Sequence, residues 1–181
     1  MAAPPRLPDT FETGNLIARK PRLTDAAAVF KAYATDPEVT RFLVWKPYTE
    51  LLPLERYFHH CISEWESGRS FACMLCLPGS AEPIGSIHLR IEGFTARFGY
   101  VLARAHWGRG LMTEALSFLT RWTLEQPGIF RSTAICDVEN KASARVMEKA
   151  GMQFEGVMRR GHIAPTVGPE PRDCLVYAKV R

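Results

Sequence analysis

Two glycines, Gly108 and Gly110, stand between a strand-like segment ending at Leu102 and an apolar helical run, Leu111–Leu124. That spacing suits an anion. Glycine lets the backbone approach a ligand with no Cβ in the way, and the first N–H groups of a helix have no partner inside it. The partial positive charge of the helix N-terminus and the Arg109 guanidinium both favour a phosphate here. Two common phosphate loops are excluded. A P-loop carries Lys-Ser/Thr after its last glycine, where Leu111-Met112 follows in this chain. A dinucleotide fingerprint needs a third glycine or alanine where Thr113 stands, and it opens a βαβ unit instead of lying past mid-chain. A plain glycine turn between strand and helix satisfies the same residues, so the weight falls on a second segment.

That segment runs from Asp137 to Gly156 and reads as strand end, capped helix, glycine stop and new strand. Asn140 is a good N-cap, Val146 and Ala150 form a short apolar stripe, and Gly151 sits where a helix ends in left-handed geometry. Together the two segments resemble the GCN5-related N-acetyltransferase (GNAT) superfamily, and within it the RimJ/RimL-like branch that acetylates ribosomal-protein N-termini. Trp107-Gly108-Arg109-Gly110-Leu111-Met112-Thr113-Glu114-Ala115 is similar to that branch's Trp-Gly-Lys-Gly-x-Ala-Thr-Glu-Ala loop. Asn140-Lys141-Ala142-Ser143 and Glu148-Lys149-Ala150-Gly151 resemble its Asn-x-x-Ser and Glu-Lys-x-Gly-Phe pair. Weaker likenesses at Asn15–Arg19, Leu23–Ala26, Asp36–Leu43, Ile84–Ile87 and Asp173–Tyr177 follow in the family's order.

The departures carry information too. Met112 stands where the superfamily has Gly or Ala, so its side chain must turn away from the phosphates while its N–H still donates. Many members place a Tyr, as thiolate acid, where Met147 stands, and a Glu, as base relay, where Arg97 stands. Neither role transfers to those positions.

The resemblance implies an N-acetyltransferase that uses acetyl-CoA. The pyrophosphate would meet the N–H groups of Arg109, Gly110, Leu111, Met112 and Thr113, with the Thr113 hydroxyl as an extra donor and Trp107 and Gly108 completing the cofactor-binding loop. The pantetheine arm would lie along Val101, Leu102 and Arg104, and Asn140 would hold its amides. An amine attacks a thioester directly once positioned and deprotonated, so no acyl-enzyme is required. Ser143 is the candidate donor to the departing thiolate, with a capping serine as the structural reading of the same residue. His162 is the candidate base, because a histidine can accept a proton at neutral pH. A surface histidine is its structural reading, and His88 and Glu92 stand in reserve. Glu114, in a helical first turn, complements the dipole.

The amine itself is open between a ribosomal or other protein N-terminus and a small molecule, met by a pocket from the Tyr48–Trp65 region and the Ala164–Pro171 loop. An idle acyl-CoA-binding sensor and an ATP-binding protein use similar loops. The missing Lys-Ser/Thr and absence of an obvious magnesium carboxylate speak against the second.

Composition fits such a domain. The chain has 181 residues, 46% hydrophobic and 23% charged, with net charge +4, which is ordinary for one folded domain spanning 1–181. Its charge forms no run, so neither nucleic-acid binding nor a membrane partner is expected. Five cysteines, an odd number at irregular spacing, fit reduced thiols. Cys73 and Cys76 face opposite sides of an apolar strand, and His59-His60-Cys61 lacks a second ligand pair, so no metal site is expected. Met1–Thr10 carries no apolar leader and no run spans a membrane, which reads as cytoplasmic. A homodimer is compatible with all of this.

The elements that position these groups are readable in outline. Strands fall at Asn15–Lys20, Ser70–Leu77, Ile84–Ile91, Arg97–Leu102, Ser132–Val138, Gln153–Met158 and Cys174–Val180. Helices fall from a Thr24 cap to about Thr35 and from Leu54 to near Gly68, then at Leu111–Leu124 and Ser143–Lys149. Antiparallel strands before a βαβαβ-like half indicate an α+β (mixed α/β) fold, with a mixed, mostly antiparallel sheet of about seven strands and about four helices.

Overall fold

In the computed structural model, which describes residues 5–181, the strand Ser70–Cys76 (β3) is buried on both faces. Phe71, Cys73 and Leu75 enter one core while Ala72 and Met74 enter a second. A continuous apolar run is what a strand covered on both sides requires. One core lies beneath the helices Leu111–Glu125 (α4) and Lys141–Lys149 (α5); the other lies beneath Asp25–Val29 (α1) and Leu51–Ser67 (α3). A short helix, Pro37–Thr40 (α2), starts at an Asp36 cap whose side chain accepts from Glu38 N–H.

The strands Thr10–Glu12 (β1), Ile17–Arg19 (β2), β3, Pro83–Glu92 (β4), Thr95–Leu102 (β5), Arg131–Asp137 (β6), Gln153–Ile163 (β7) and Pro171–Val180 (β8) form one sheet in the order β1-β2-β3-β4-β5-β6-β8-β7. Among the described residues, only the β5–β6 pair is parallel. That pairing runs from Thr95 opposite Arg131 to Phe98 opposite Ala134 and stops there, although β5 continues to Leu102 and β6 to Asp137. The sheet therefore splits into a fork.

The α+β fold matches the reading of the sequence, with two elements more. The eighth strand is β1, whose three residues are too few to show alternation. The first helix does not run unbroken from a Thr24 cap. Thr24 makes no capping bond, and α1 ends at Val29, where Phe30–Ala34 continues as a π-turn. Asp25 organises this end instead, accepting from Arg22 N–H at 2.7 Å and from the Arg19 guanidinium at 2.6 and 2.8 Å. The β7–β8 hairpin is also longer than its hydrophobic pattern suggested, and His162 lies in strand, not loop. Of the leader reading at Met1–Thr10, residues 1–4 lie outside the described residues.

Candidate active site

Gly108 and Gly110 adopt φ of 74° and 77°, the left-handed region that a Cβ disfavours. A Cβ built on either would meet nothing within 4 Å, so both face open space. The first helical bond of α4 runs from Glu114 N–H to Gly110 O at 3.0 Å. The N–H groups of Leu111, Met112 and Thr113 thus have no acceptor within the helix. Leu111 and Met112 bury their side chains in the core, so Met112 turns away from the loop as its N–H requires.

The loop is held from several sides. Trp107 Nε1–H donates to Leu102 O at 2.7 Å, and Arg109 approaches His106 Nδ1 at 3.0 Å. Arg104 pairs with Asp36 at 3.0 Å, which ties its side chain toward α2. Glu114 does more than face a dipole. Its carboxylate accepts from the Thr13 hydroxyl, from Asn15 N–H at 2.7 Å and from Asn15 Nδ2 at 2.8 Å. It thereby anchors the β1–β2 turn beneath the glycine loop.

Ala103 N–H donates to Ile84 O at 2.8 Å, which sets the alternation of main-chain directions along β5. Val101 and Gly99 share that direction and belong to the β4 pairing; Tyr100 and Leu102 turn their main chain into the fork. Gly85 fits this contact, since a Cβ there would lie 2.5 Å from Val101 O. Leu102 O is already taken by Trp107. The free edge consists of Leu102 N–H and both groups of Tyr100, whereas Val101, which the sequence suggested, turns away.

The two faces of the fork carry different chemistry. On the α5 side, the Tyr100 hydroxyl lies 2.8 Å from Ser143 Oγ and 3.1 Å from Ser143 O. Burial pushes the Tyr100 phenol above its ordinary range and raises the neighbouring Cys136 thiol to about 11, so both stay protonated. Ser143 is not the capping side chain. Asn140 Oδ1 caps α5 by accepting from Ser143 N–H at 3.1 Å, which leaves the Asn140 amide NH₂ for a ligand.

On the opposite face, Asp137 is fully buried and gathers three donors and an imidazole nitrogen. Arg172 Nε and Nη2 lie 2.5 and 3.1 Å from its oxygens, Glu139 N–H is at 2.9 Å, and His162 Nε2 is at 3.4 Å. Burial alone would raise this carboxyl, but the Arg172 bonds, Glu139 N–H and His162 hold it below its usual value. The reserve candidates are less available. His88 is pulled down to about 4 by burial and then Arg90, and it lines a cavity of about 100 Å³ with Tyr57, Cys61 and Arg90. Glu92 is paired with Arg97 at 2.7 Å, and Met147 is fully buried in the core. Sequence reasoning missed Tyr100, Asp137 and Arg172 as partners of Ser143 and His162.

A glycine loop at the open N-terminus of α4 thus lies beside a fork with a free strand edge, and comparison with known proteins identifies the family. The profile of the "Acetyltransferase (GNAT) domain" family matches residues 15–153, and the chain belongs to that family. The chain is 27% identical over 154 residues to the "Uncharacterized N-acetyltransferase p20" of Bacillus licheniformis, covering 83% of this chain and 86% of that one. It is 30% identical over 115 residues to the "Ribosomal-protein-serine acetyltransferase" of Escherichia coli (strain K12), covering 62% and 63%. Among solved structures, the microcin C7 self-immunity acetyltransferase MccE, in complex with acetyl-CoA and AMP, superposes with TM-score 0.86 at 18% identity, covering 97% and 98%. RimL, a ribosomal L7/L12 α-N-protein acetyltransferase bound to coenzyme A, superposes with TM-score 0.83 at 20% identity, covering 94% of this chain and 97% of its own. The protein is an acetyltransferase whose cosubstrate is acetyl-CoA. Among the described residues, no cluster of three or more His, Cys, Asp or Glu could hold a metal, and no helix is long and apolar enough to cross a membrane.

Proposed function

We propose that the chain acetylates a primary amine by direct attack in a ternary complex, and that the amine is a protein N-terminus. The observation that carries the reading is the fork, with a hydroxyl pair, Tyr100–Ser143, on one face and His162 beside Asp137 on the other. The N–H groups of Gly108 to Thr113 would hold the pyrophosphate, with Arg109 adding charge. Tyr100 and Leu102 would hydrogen-bond the pantetheine arm in place of a missing strand, with Asn140 NH₂ as a further donor. Acetyl-CoA supplies an activated thioester.

His162 takes the amine proton and Ser143 donates to the thiolate as the C–N bond forms and the C–S bond breaks. Splitting acid and base between two faces lets the amine arrive opposite the leaving group. The peptide acceptor is supported by the named activities of the Escherichia coli relative and of RimL. Buried free cysteines at 61, 73, 76, 136 and 174 favour a reducing, cytoplasmic setting.

The test is an acceptor screen followed by free-thiol release, over peptides with free N-termini, polyamines, amino acids and aminoglycosides. Turnover with peptides supports the reading, and turnover confined to small amines redirects it. Binding of acetyl-CoA without thiol release from any acceptor would leave a sensor.

A further inference from the structure

We propose that Asp137 is a positioning residue that fixes the tautomer and orientation of His162; the proposal rests on the reading of His162 as the base. Asp137 ends β6 at the mouth of the fork, with its side chain wholly out of solvent. Its Oδ2 lies 3.4 Å from His162 Nε2. An ionised carboxylate only accepts, so this geometry places the imidazole proton on Nε2 and leaves Nδ1 as the basic nitrogen.

The backbone before His162 is shaped to make this contact. The β7–β8 register is interrupted between Met158 and His162. Within that interruption Arg160 has φ of 53°, and its N–H donates to Asp173 Oδ1 at 2.9 Å. A Cβ on Gly161 would lie 2.6 Å from Met158 Sδ. Bulges of this kind re-aim a side chain, and here the residue that follows is the one facing Asp137.

Arg172 gives the arrangement its second property. Its guanidinium holds both Asp137 oxygens and also Glu139 at 3.1 Å. The charged groups placed at this contact are Asp137 from the end of β6 and Arg172 from β8, with Glu139 joined through Arg172; on the same hairpin Asp173 accepts from Arg160 N–H and Arg160 pairs with Glu170. Arg172 offsets the Asp137 charge and holds the carboxylate in place against the imidazole. In the reaction the amine proton moves to His162 Nδ1, the acetyl carbon passes from sulfur to nitrogen, and CoA leaves as a thiolate that accepts a hydrogen bond from the Ser143 hydroxyl; the proton on His162 then passes to solvent. Asp137 stays ionised throughout.

The experiment uses ¹⁵N NMR of histidine-labelled full-length protein, with steady-state kinetics. In the wild type, the His162 proton should reside on Nε2; a wild-type proton on Nδ1 overturns the proposal without any variant. Asp137→Asn can present an amide N–H to Nε2, which moves the imidazole proton to Nδ1. It should lower kcat at least roughly tenfold, as misoriented histidines do, with acetyl-CoA affinity unchanged. Arg172→Gln keeps the Asp137–His162 contact but removes the offsetting charge. It should keep the Nε2–H tautomer and move the ascending limb of kcat/KM to higher pH. A purely structural Asp137 would give lower Tm in both variants with neither a tautomer change nor a moved limb, which overturns the proposal. If His162→Gln matches wild-type rate while the tautomer results hold, the base reading fails and the orienting contact stands.

Discussion

Tyr100 on β5 and Ser143 on α5 are joined across the fork by a 2.8 Å contact between their hydroxyls. Because Tyr100 OH also lies 3.1 Å from Ser143 O, one geometry lets the tyrosine donate to that carbonyl while the serine proton remains available. Removing the serine hydroxyl tests its role at the thiolate. Ser143→Ala should lower kcat with little change in acetyl-CoA affinity, the pattern of an interaction made in the transition state. Unchanged turnover in the variant would make Ser143 a helix residue only.

Tyr100→Phe keeps the ring and the main-chain edge but leaves Ser143 Oγ without its partner. A hydrogen bond of this kind is worth about 0.5–1.5 kcal/mol. The variant should lose roughly threefold to tenfold in kcat, with acetyl-CoA affinity retained because the main-chain contacts remain. A loss confined to acetyl-CoA KM would instead assign the hydroxyl to cofactor binding.

The glycine loop yields to a charge. In Gly110→Asp the added Cβ meets no atom within 4 Å, and aspartate is a good residue to precede a helix. The left-handed backbone costs about 1 kcal/mol or somewhat more, which a domain of this size withstands. The carboxylate, however, stands where the pyrophosphate is proposed to approach. Calorimetry should detect no CoA binding to the folded variant; wild-type affinity would sink the loop assignment.

Glu114 should show a stability effect that depends on pH. Burial opposes its ionisation, yet bonds from Asn15, Thr13 and nearby main chain hold its folded pKa below the ordinary value. A carboxyl depressed in the fold adds stability above its unfolded pKa, about 4.3. That stability is lost as pH falls through the lower, folded value. Glu114→Gln should therefore melt several degrees below wild type at neutral pH, with the gap closing in acid. A gap of constant size from about pH 7 to pH 3 would show that the charge is irrelevant to the anchor.

The glycine loop and most of the strands were legible because glycine spacing and strand alternation are local signals. Met112 shows how far such reasoning reaches: its main chain was read as a donor and its side chain as turned away, and the side chain is in the core. Tyr100 was hidden because its role depends on where the β5–β6 pairing stops, a property of two strands about thirty residues apart that no single segment records. The same holds for Val101, whose main-chain direction follows from one bond to Ile84. Asp137 and Arg172 were hidden by sequence distance, since β8 returns between β6 and β7 and brings Arg172 against the end of β6.

His162 is tested by its titration. A base must be unprotonated to act, so kcat/KM should rise with pH as the imidazole loses its proton. The acceptor amine titrates as well, and its limb is separated by comparing peptides whose N-terminal pKa values differ. His162→Gln preserves polarity and approximate size but cannot accept the proton. It should remove the limb that stays fixed across acceptors and slow the reaction by roughly a hundredfold or more. Its acetyl-CoA affinity should not change, because the glycine loop and the Tyr100 edge lie outside the substitution. A variant with the wild-type rate and profile would leave the proton to water or to His88. The low pKa of about 4 that burial and Arg90 impose on His88 would then predict a limb displaced to more acidic pH than an ordinary histidine gives.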